Sequence, residues 1–500
     1  MLKSSLLLIF VIALILRWLY LPQWAITFGY DQGRDAFIVG QMLDRDIKIQ
    51  GPPVGGLPGV FHGVFYYYIV APAYYFGQGS PIIAAFWMSF LSSLGVFVVY
   101  FFTYKFTKKN LPSFLAALLY AFSFEATQYA NWLSNAALGI IFVPIVYLGI
   151  WLWFKERKKF GPIITGLALG LAIQCNAALA FHLLPTLFWI YKNRSFVSLK
   201  ALVNFVISLF ISLSSMILSE IMFNKGGLGG IWYLFSSKDE IASAVRLGDF
   251  LVNYFNQLGS VFSLNLFPLN LVFGGIIGFG IIIWMSVKKN NFLVNLILSA
   301  FLGYAFALSF GGGSTPHITV GLGALLTIVT GIFIYEIFQK NKLIAISFLS
   351  IILAANLFKI VTENKNGQTN FAIQKGLVLG RELAAIDYTY EKAGNDPFSI
   401  SSLTSPLYIN TTWSYLYNWY GLNKYGRLPY WIGQNQIGQL GNNLDSPPKD
   451  VTRHFYIIEP THSIPQLYID YSKGDQDAIS FLVDKKAFGT IIVEERKLKN

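Results

Sequence analysis

An all-α bundle of membrane-spanning helices with a small extracytoplasmic α/β domain at its C-terminal end is the fold class that this 500-residue sequence predicts. Three observations predict it. Hydrophobic residues make up 54% of the chain against 12% charged, with a mean hydropathy of +0.52. That is more apolar surface than a soluble chain of this length needs to bury. Apolar runs recur at close to the roughly 20 residues that cross a bilayer. Beyond about residue 360 the pattern changes to a hydrophilic tail in which helical and β-rich segments alternate. The sequence therefore divides into a membrane domain, 1–360, and an outer domain, 361–500.

The first apolar run, Ser4 to Leu16, continues through Arg17 to Tyr20 and lacks a small-x-small cleavage site. It reads as a retained signal-anchor helix, with Arg17 near its outer end, placed to snorkel or to reach an interior site. Further spans are expected at about 82–104, 112–124, 136–154, 162–176, 178–191, 201–222, 266–287, 292–310, 318–338 and 342–359, about eleven in all. Alternate connections are short and basic: Lys105/Lys108/Lys109, Lys155/Arg157/Lys158/Lys159, Lys192/Arg194/Lys200, Lys288/Lys289 and Lys340/Lys342. The positive-inside rule makes these cytoplasmic together with the N-terminus. The connections 23–81, 125–135, 223–265 and 311–317, and the tail, then face outward. The chain is thus expected to be a multi-pass protein of the plasma (inner) membrane.

Charge and cysteine narrow the function. Residues 361–500 hold fourteen Lys/Arg against fourteen Asp/Glu, so the net charge of +12 resides in the first 360 residues. It reports orientation and contact with anionic lipid and gives no support for nucleic-acid binding. The lone Cys175 forms no intrachain disulfide.

The first outer connection is the most informative. It predicts an amphipathic helix from Gln32 to Leu43, a Gly/Pro-rich turn over 51–59, and an aromatic stretch in which Tyr66 to Tyr68 and Tyr74/Tyr75 read as an interfacial belt. In the tail, helices are expected at about 370–393, 408–420 and 464–483, with strands at Phe398–Ser402, His454–Glu459 and Thr490–Glu494.

Gly29-Tyr-Asp-Gln-Gly-Arg-Asp-Ala36 places two carboxylates and a guanidinium within five positions of one another, just past the first span. A short helix presents Asp31, Arg34 and Asp35 on one face, and fixed charge at a membrane boundary marks a functional site. The spans are nearly free of charge, whereas a transporter keeps polar groups near the mid-plane. A site at the outer interface suits a substrate whose head group lies at the surface while its tail stays in the bilayer. Glycosyl transfer from a polyprenyl-phosphate sugar has this geometry. It needs a carboxylate to deprotonate the acceptor, here Asp31 or Asp35, and donors for the departing phosphate, here Arg34, His62 and Arg246.

At these residues the chain resembles the GT-C glycosyltransferases, in the family 39-like branch that contains protein O-mannosyltransferases and the aminoarabinose transferases of lipid A. That branch reads roughly Asp-Glu-x-x-Tyr-Ala and later Lys/His-Pro-Pro-Leu-x-Tyr. The matching stretches are Asp31-Gln-Gly-Arg-Asp-Ala36 and His62-Gly-Val-Phe-Tyr-Tyr67. The resemblance puts Asp31 at the essential aspartate and His62 at the basic residue, with Gln32 where Glu is common and Gly63-Val64 in place of two prolines. A third likeness lies at Glu125-Ala-Thr-Gln-Tyr-Ala-Asn-Trp-Leu-Ser-Asn135.

It implies an inverting glycosyltransferase whose donor, a polyprenyl-phosphate sugar, meets a protein, lipid or glycan acceptor at the outer face. Gln32, Tyr66, Tyr67, Glu125, Gln128, Asn131 and Asn135 would shape the sugar and acceptor pocket. The branch generally works without a metal, so neither a metal nor a cofactor is expected. Two other classes compete: a lipid-linked-glycan flippase or transporter, and a surface-glycan polymerase or ligase. The first calls for a charged path through the mid-plane. The second calls for an arginine-rich late loop, and the late outer loops hold only Arg246.

Overall fold

The computed structural model describes residues 2–55, 59–223, 226, 227, 229, 230, 247–287, 292–309, 316–370 and 374–499. It is a helical bundle with a five-stranded sheet near its C-terminal end. The helices in order are α1 (Leu2–Trp18), α2 (Tyr30–Leu43), α3 (Phe65–Phe76), α4 (Pro81–Ser93), α5 (Gly95–Thr107), α6 (Asn110–Phe122), α7 (Phe124–Ala130), α8 (Gly139–Phe154), α9 (Gly161–Cys175), α10 (Leu183–Lys192), α11 (Leu199–Ser212) and α12 (Ser214–Met222). Helices Leu247–Leu266, Leu271–Val287, Phe292–Ser309, Leu322–Lys340 and Lys342–Glu363 complete the bundle.

Among the described residues, five helices are long and apolar enough to cross a membrane. Two bent pairs, broken by 61° between α11 and α12 and by 92° after Leu266, raise the number to seven. The chain is a multi-pass membrane protein. Leu7, Ile15, Phe210, Ile211, Ile276 and Leu343 stay exposed on the bundle's outside, where lipid tails are as apolar as they are. Helix association then rests on close packing of small residues. A Cβ on Gly166 would lie 2.1 Å from Ser208 Oγ, and one on Gly170 2.0 Å from Ser212 Oγ, so α9 and α11 meet backbone to backbone.

The basic connections gather at one end. Lys105 and Lys108 both reach Glu156, at 3.3 and 3.1 Å, Lys109 donates to the Tyr335 hydroxyl at 3.0 Å, and Arg157 lies 4.4 Å over the Phe196 ring.

At the other end, the long connection 23–81 and the tail share one apolar core that includes Leu21, Val39, Tyr67, Leu377, Trp413 and Phe455. The segments run side by side: Phe28 N donates to Leu377 O at 3.3 Å, Leu379 N to Ile26 O at 2.9 Å and Gly380 N to Trp24 O at 3.1 Å. The sheet comprises β1 (Phe398–Leu403), β2 (Tyr430–Trp431), β3 (Arg453–Ile458), β4 (Ser480–Phe488) and β5 (Ile491–Leu498), in the order β2-β1-β3-β5-β4. Strands β1 and β3 are parallel, and β5 runs antiparallel to both β3 and β4.

Three expectations are corrected. The connection 223–265 is not all loop: Leu247–Leu266 is a helix whose Gly259 abuts Gly275 of the next helix, a Cβ there lying 3.2 Å away. Asp249, Asn253, Asn256 and Gln257 dilute its hydropathy and hide its buried face, Tyr254, Leu258, Val261 and Phe262. The expected span 178–191 is a 3-10 turn, Ala177–His182, followed by the ten-residue α10. The expected helix 464–483 stops at Ile479, and Ser480–Phe488 pairs with β5 as an edge strand. Of the two places open to Arg17, it takes the interior one. It is fully buried, and one guanidinium nitrogen donates to Ala13 O and Ala121 O at 3.1 and 3.2 Å.

Candidate active site

Helix α2 follows Gly29, whose extended backbone (φ −108°, ψ −159°) turns the chain into the first turn. Glycine offers no side-chain cap, and a helix start leaves four N–H groups without partners. Gln32 accepts from the Gly29 N–H at 3.0 Å, and Gln374 of the tail accepts from the Tyr30 N–H at 3.2 Å.

The helix does present the three charges together. Arg34 Nη1 contacts Asp31 Oδ1 at 2.7 Å, while Nε and Nη2 reach Asp35 Oδ1 at 3.0 and 2.8 Å. Asp31 is 59% exposed at its side chain, Arg34 12% and Asp35 5%. An open carboxylate and a buried one therefore flank a shared guanidinium. Three of the five guanidinium N–H groups are engaged, which leaves two for a ligand. Tyr67 donates its hydroxyl to Asp35 Oδ1 at 3.1 Å. Burial pushes the Asp35 carboxyl up to about 6, against the pull of Arg34. Burial works against the charge on Arg34, and the Asp35 and Asp31 carboxylates more than restore it, so the guanidinium stays fully charged.

His62 is a neutral donor rather than a cation. The Ala177 N–H donates to its Nδ1 at 3.0 Å, which puts the ring proton on Nε2. Burial, then His317 and Arg34, hold its pKa down to about 3. His317 stacks obliquely on Trp132 with centroids 5.9 Å apart. Burial lowers its pKa too, while Asp31 pulls it upward. The mutual influence of Asp31, Arg34, His62 and His317 places them in one electrostatic cluster. The tail supplies a wall: a Cβ on Gly33 would lie 3.0 Å from Thr412 Cα, and Phe37 packs edge-on against Tyr415 at 5.1 Å.

The remaining candidates in the described residues are buried or bonded within the protein. Gln32, buried, donates to Leu133 O at 3.1 Å. Tyr66 and Tyr67 are buried on α3, unlike the exposed Tyr68 and Tyr75, so only part of the expected belt faces outward. Glu125, buried, accepts from Asn265 at 2.6 Å. Gln128 donates to Asn364 Oδ1 and Gly367 O at 2.8 and 3.1 Å, and accepts from Thr369 N at 2.8 Å. Asn131 accepts from Ser89 at 2.7 Å and donates to Arg17 O at 2.9 Å, and Asn135 donates to Cys175 O. Arg246 lies outside the described residues. Among the described residues, no three His, Cys, Asp or Glu side chains converge as a metal site would require. Gln374 is the participant that sequence reading missed, for it lies 344 positions from Tyr30 in a tail segment without a motif.

No family model and no curated protein matches the chain. Solved structures do. ArnT from Cupriavidus metallidurans, bound to undecaprenyl phosphate, superposes with a TM-score of 0.59 at 12% identity, over 99% of this chain and 98% of its own. Its apo form gives 0.57 at 11% identity over the same shares. The fold is that of ArnT. The GT-C resemblance is borne out, and the likeness in fold runs through the tail as well.

Proposed function

We propose that the chain is a membrane glycosyltransferase that moves a monosaccharide from a polyprenyl-phosphate donor to an acceptor at the outer face, with inversion. The observation that carries this reading is the Asp31–Arg34–Asp35 arrangement, an open carboxylate beside a half-engaged guanidinium, in a fold shared with a protein crystallised on undecaprenyl phosphate. Asp31 takes the proton of the acceptor hydroxyl or amine as that atom bonds to the sugar's anomeric carbon. The anomeric C–O bond to phosphate breaks with its electron pair, leaving polyprenyl phosphate. The free N–H groups of Arg34 and the Nε2–H of His62 donate to the phosphate oxygens as charge builds there. Asp35 and Tyr67 hold Arg34 in place. Donor sugar, acceptor and the inner-membrane orientation, with basic loops in the cytoplasm, form part of the proposal.

The test is sugar release from a radiolabelled panel of polyprenyl-phosphate monosaccharides, with purified wild type and Asp31→Asn in detergent and candidate acceptors supplied. Turnover of one donor by wild type and a loss of about a hundredfold in the variant are expected, the scale of a missing acid/base group. Equal movement of intact lipid-linked sugar across liposomes by both proteins would replace this reading with the flippase.

A further inference from the structure

The start of α2 is held from a distance. Gln374 accepts from the Tyr30 N–H at 3.2 Å through Oε1, and its Nε2 donates to Glu459 Oε2 at 2.9 Å and to Ser405 O. Glu459, just past β3 and 2% exposed, is itself fixed: Oε2 accepts from Ser405 N at 3.1 Å and Oε1 from Trp413 Nε1 at 3.1 Å. Gln374 fills the space left by the missing side chain of Gly29, where a Cβ would lie 1.7 Å from its Oε1. A chain of hydrogen bonds thus runs from the sheet of the tail, through one amide, to the residue preceding Asp31. Glycine at the cap supplies no side-chain acceptor of its own, so the amide of Gln374 does the capping.

We propose that Gln374 and Glu459 are positioning residues for Asp31 and Arg34, by which the tail sets the first turn of the helix that carries them. The proposal rests on the glycosyltransferase reading for its catalytic consequence only; the structural consequence stands without it. An amide has the two ends this place requires, an acceptor toward Tyr30 and a donor toward Glu459. Gln374→Glu would set a second carboxyl against Glu459 in place of an N–H donor, and Gln374→Leu would leave the Tyr30 N–H without its acceptor and Glu459 Oε2 with the Ser405 N–H alone. The exchanged pair, Gln374→Glu with Glu459→Gln, restores a donor facing an acceptor between the two side chains and keeps an acceptor for Tyr30, while the two bonds to the Ser405 backbone are lost.

The test uses the full chain in detergent, as wild type, Gln374→Leu, Gln374→Glu and the exchanged double variant, with two readouts. Hydrogen exchange at the amides of 30–34 should quicken about tenfold or more in both single variants, with helix Gln466–Ile479 unchanged, and return toward wild type in the exchanged pair. Turnover of the donor should fall about tenfold with its KM within about twofold, because a shifted base misaligns the reaction without removing a donor contact. The exchanged pair should recover part of that loss. Unchanged exchange at 30–34 in the folded single variants would overturn the proposal. If wild type itself transfers no sugar, the functional reading fails, and the exchange measurement decides the positioning role by itself. Should Gln374→Leu not fold, Gln374→Glu and the exchanged pair decide.

Discussion

Residues 31–35 and residues 125–135 both put charge or amide groups at the end of an apolar bundle away from its basic connections. From sequence both look like site lining. In the structure they diverge. Glu125, Gln128, Asn131 and Asn135 are at most 9% exposed, and their bonds run to Asn265, Asn364, Ser89, Arg17 and Cys175. Such groups join α7 and its neighbours to the rest of the bundle and to the beginning of the tail. Asp31, by contrast, is 59% exposed at its side chain with one partner, and Arg34 keeps donors in reserve. Polar residues at a membrane boundary thus fall into two kinds, told apart by whether hydrogen-bonding capacity remains open to a ligand.

The largest effect that tests this division is at Asp31. Asp31→Asn should lower transfer by about a hundredfold while leaving the melting temperature near wild type, because the carboxylate's lone exposed ion pair contributes at most about 1 kcal/mol. A large fall in melting temperature with little lost turnover would move Asp31 to the structural kind. Arg34→Lys comes next. Lysine cannot span both carboxylates as the guanidinium fork does, so the KM for donor should rise about tenfold in steady-state assays, with kcat less affected. At Gln128 the division predicts the reverse pattern. Gln128→Leu strands Asn364 Oδ1, Gly367 O and the Thr369 N–H, which should cost about 1–3 kcal/mol of stability and leave donor KM unchanged in the protein that remains folded. Denaturation in detergent beside the transfer assay measures both.

Much of this was legible in the sequence, for identifiable reasons. Hydropathy is a strong signal wherever every backbone group is satisfied within its own helix, so α1, α4 with α5, α8 and the helices from Leu322 to Glu363 fall where the apolar runs place them. Asp31, Arg34 and Asp35 could be put on one face because helical spacing is local. The helix Leu247–Leu266 escaped, since Asp249, Asn253, Asn256 and Gln257 lower the average of its first half, while Tyr254, Leu258, Val261 and Phe262 are buried. Tyr66 and Tyr67 were misplaced because aromatic residues mark an interface or a core equally well, and only the packing of α3 against α2 separates the two. His62 kept its position and changed its charge, for the N–H that fixes its tautomer comes from Ala177, 115 residues on. What the sequence hid in each case is a long-range partner.

The smallest expected effect is the most specific, and it concerns the boundary between the two kinds. Asp35 belongs to both: it is buried and bonded by Tyr67 and Arg34, yet it touches the group assigned to the donor phosphate. Its carboxyl is raised to about 6 by burial. In the folded protein the proton is therefore held more tightly than in the unfolded chain, and stability from this group is present below the ordinary carboxylate value and lost as pH rises through 6. Activity should run the other way. Below about pH 6 the neutral acid no longer anchors Arg34, and kcat/KM for the donor should fall; above it the ionised pair sets the guanidinium and activity should level off. Asp35→Asn fixes the neutral state, so its profile between pH 5 and 7 should be flat and its activity at pH 7 lower by a fewfold. An acid limb that survives in Asp35→Asn would assign the titration to another group of the cluster and return Asp35 to a purely structural role.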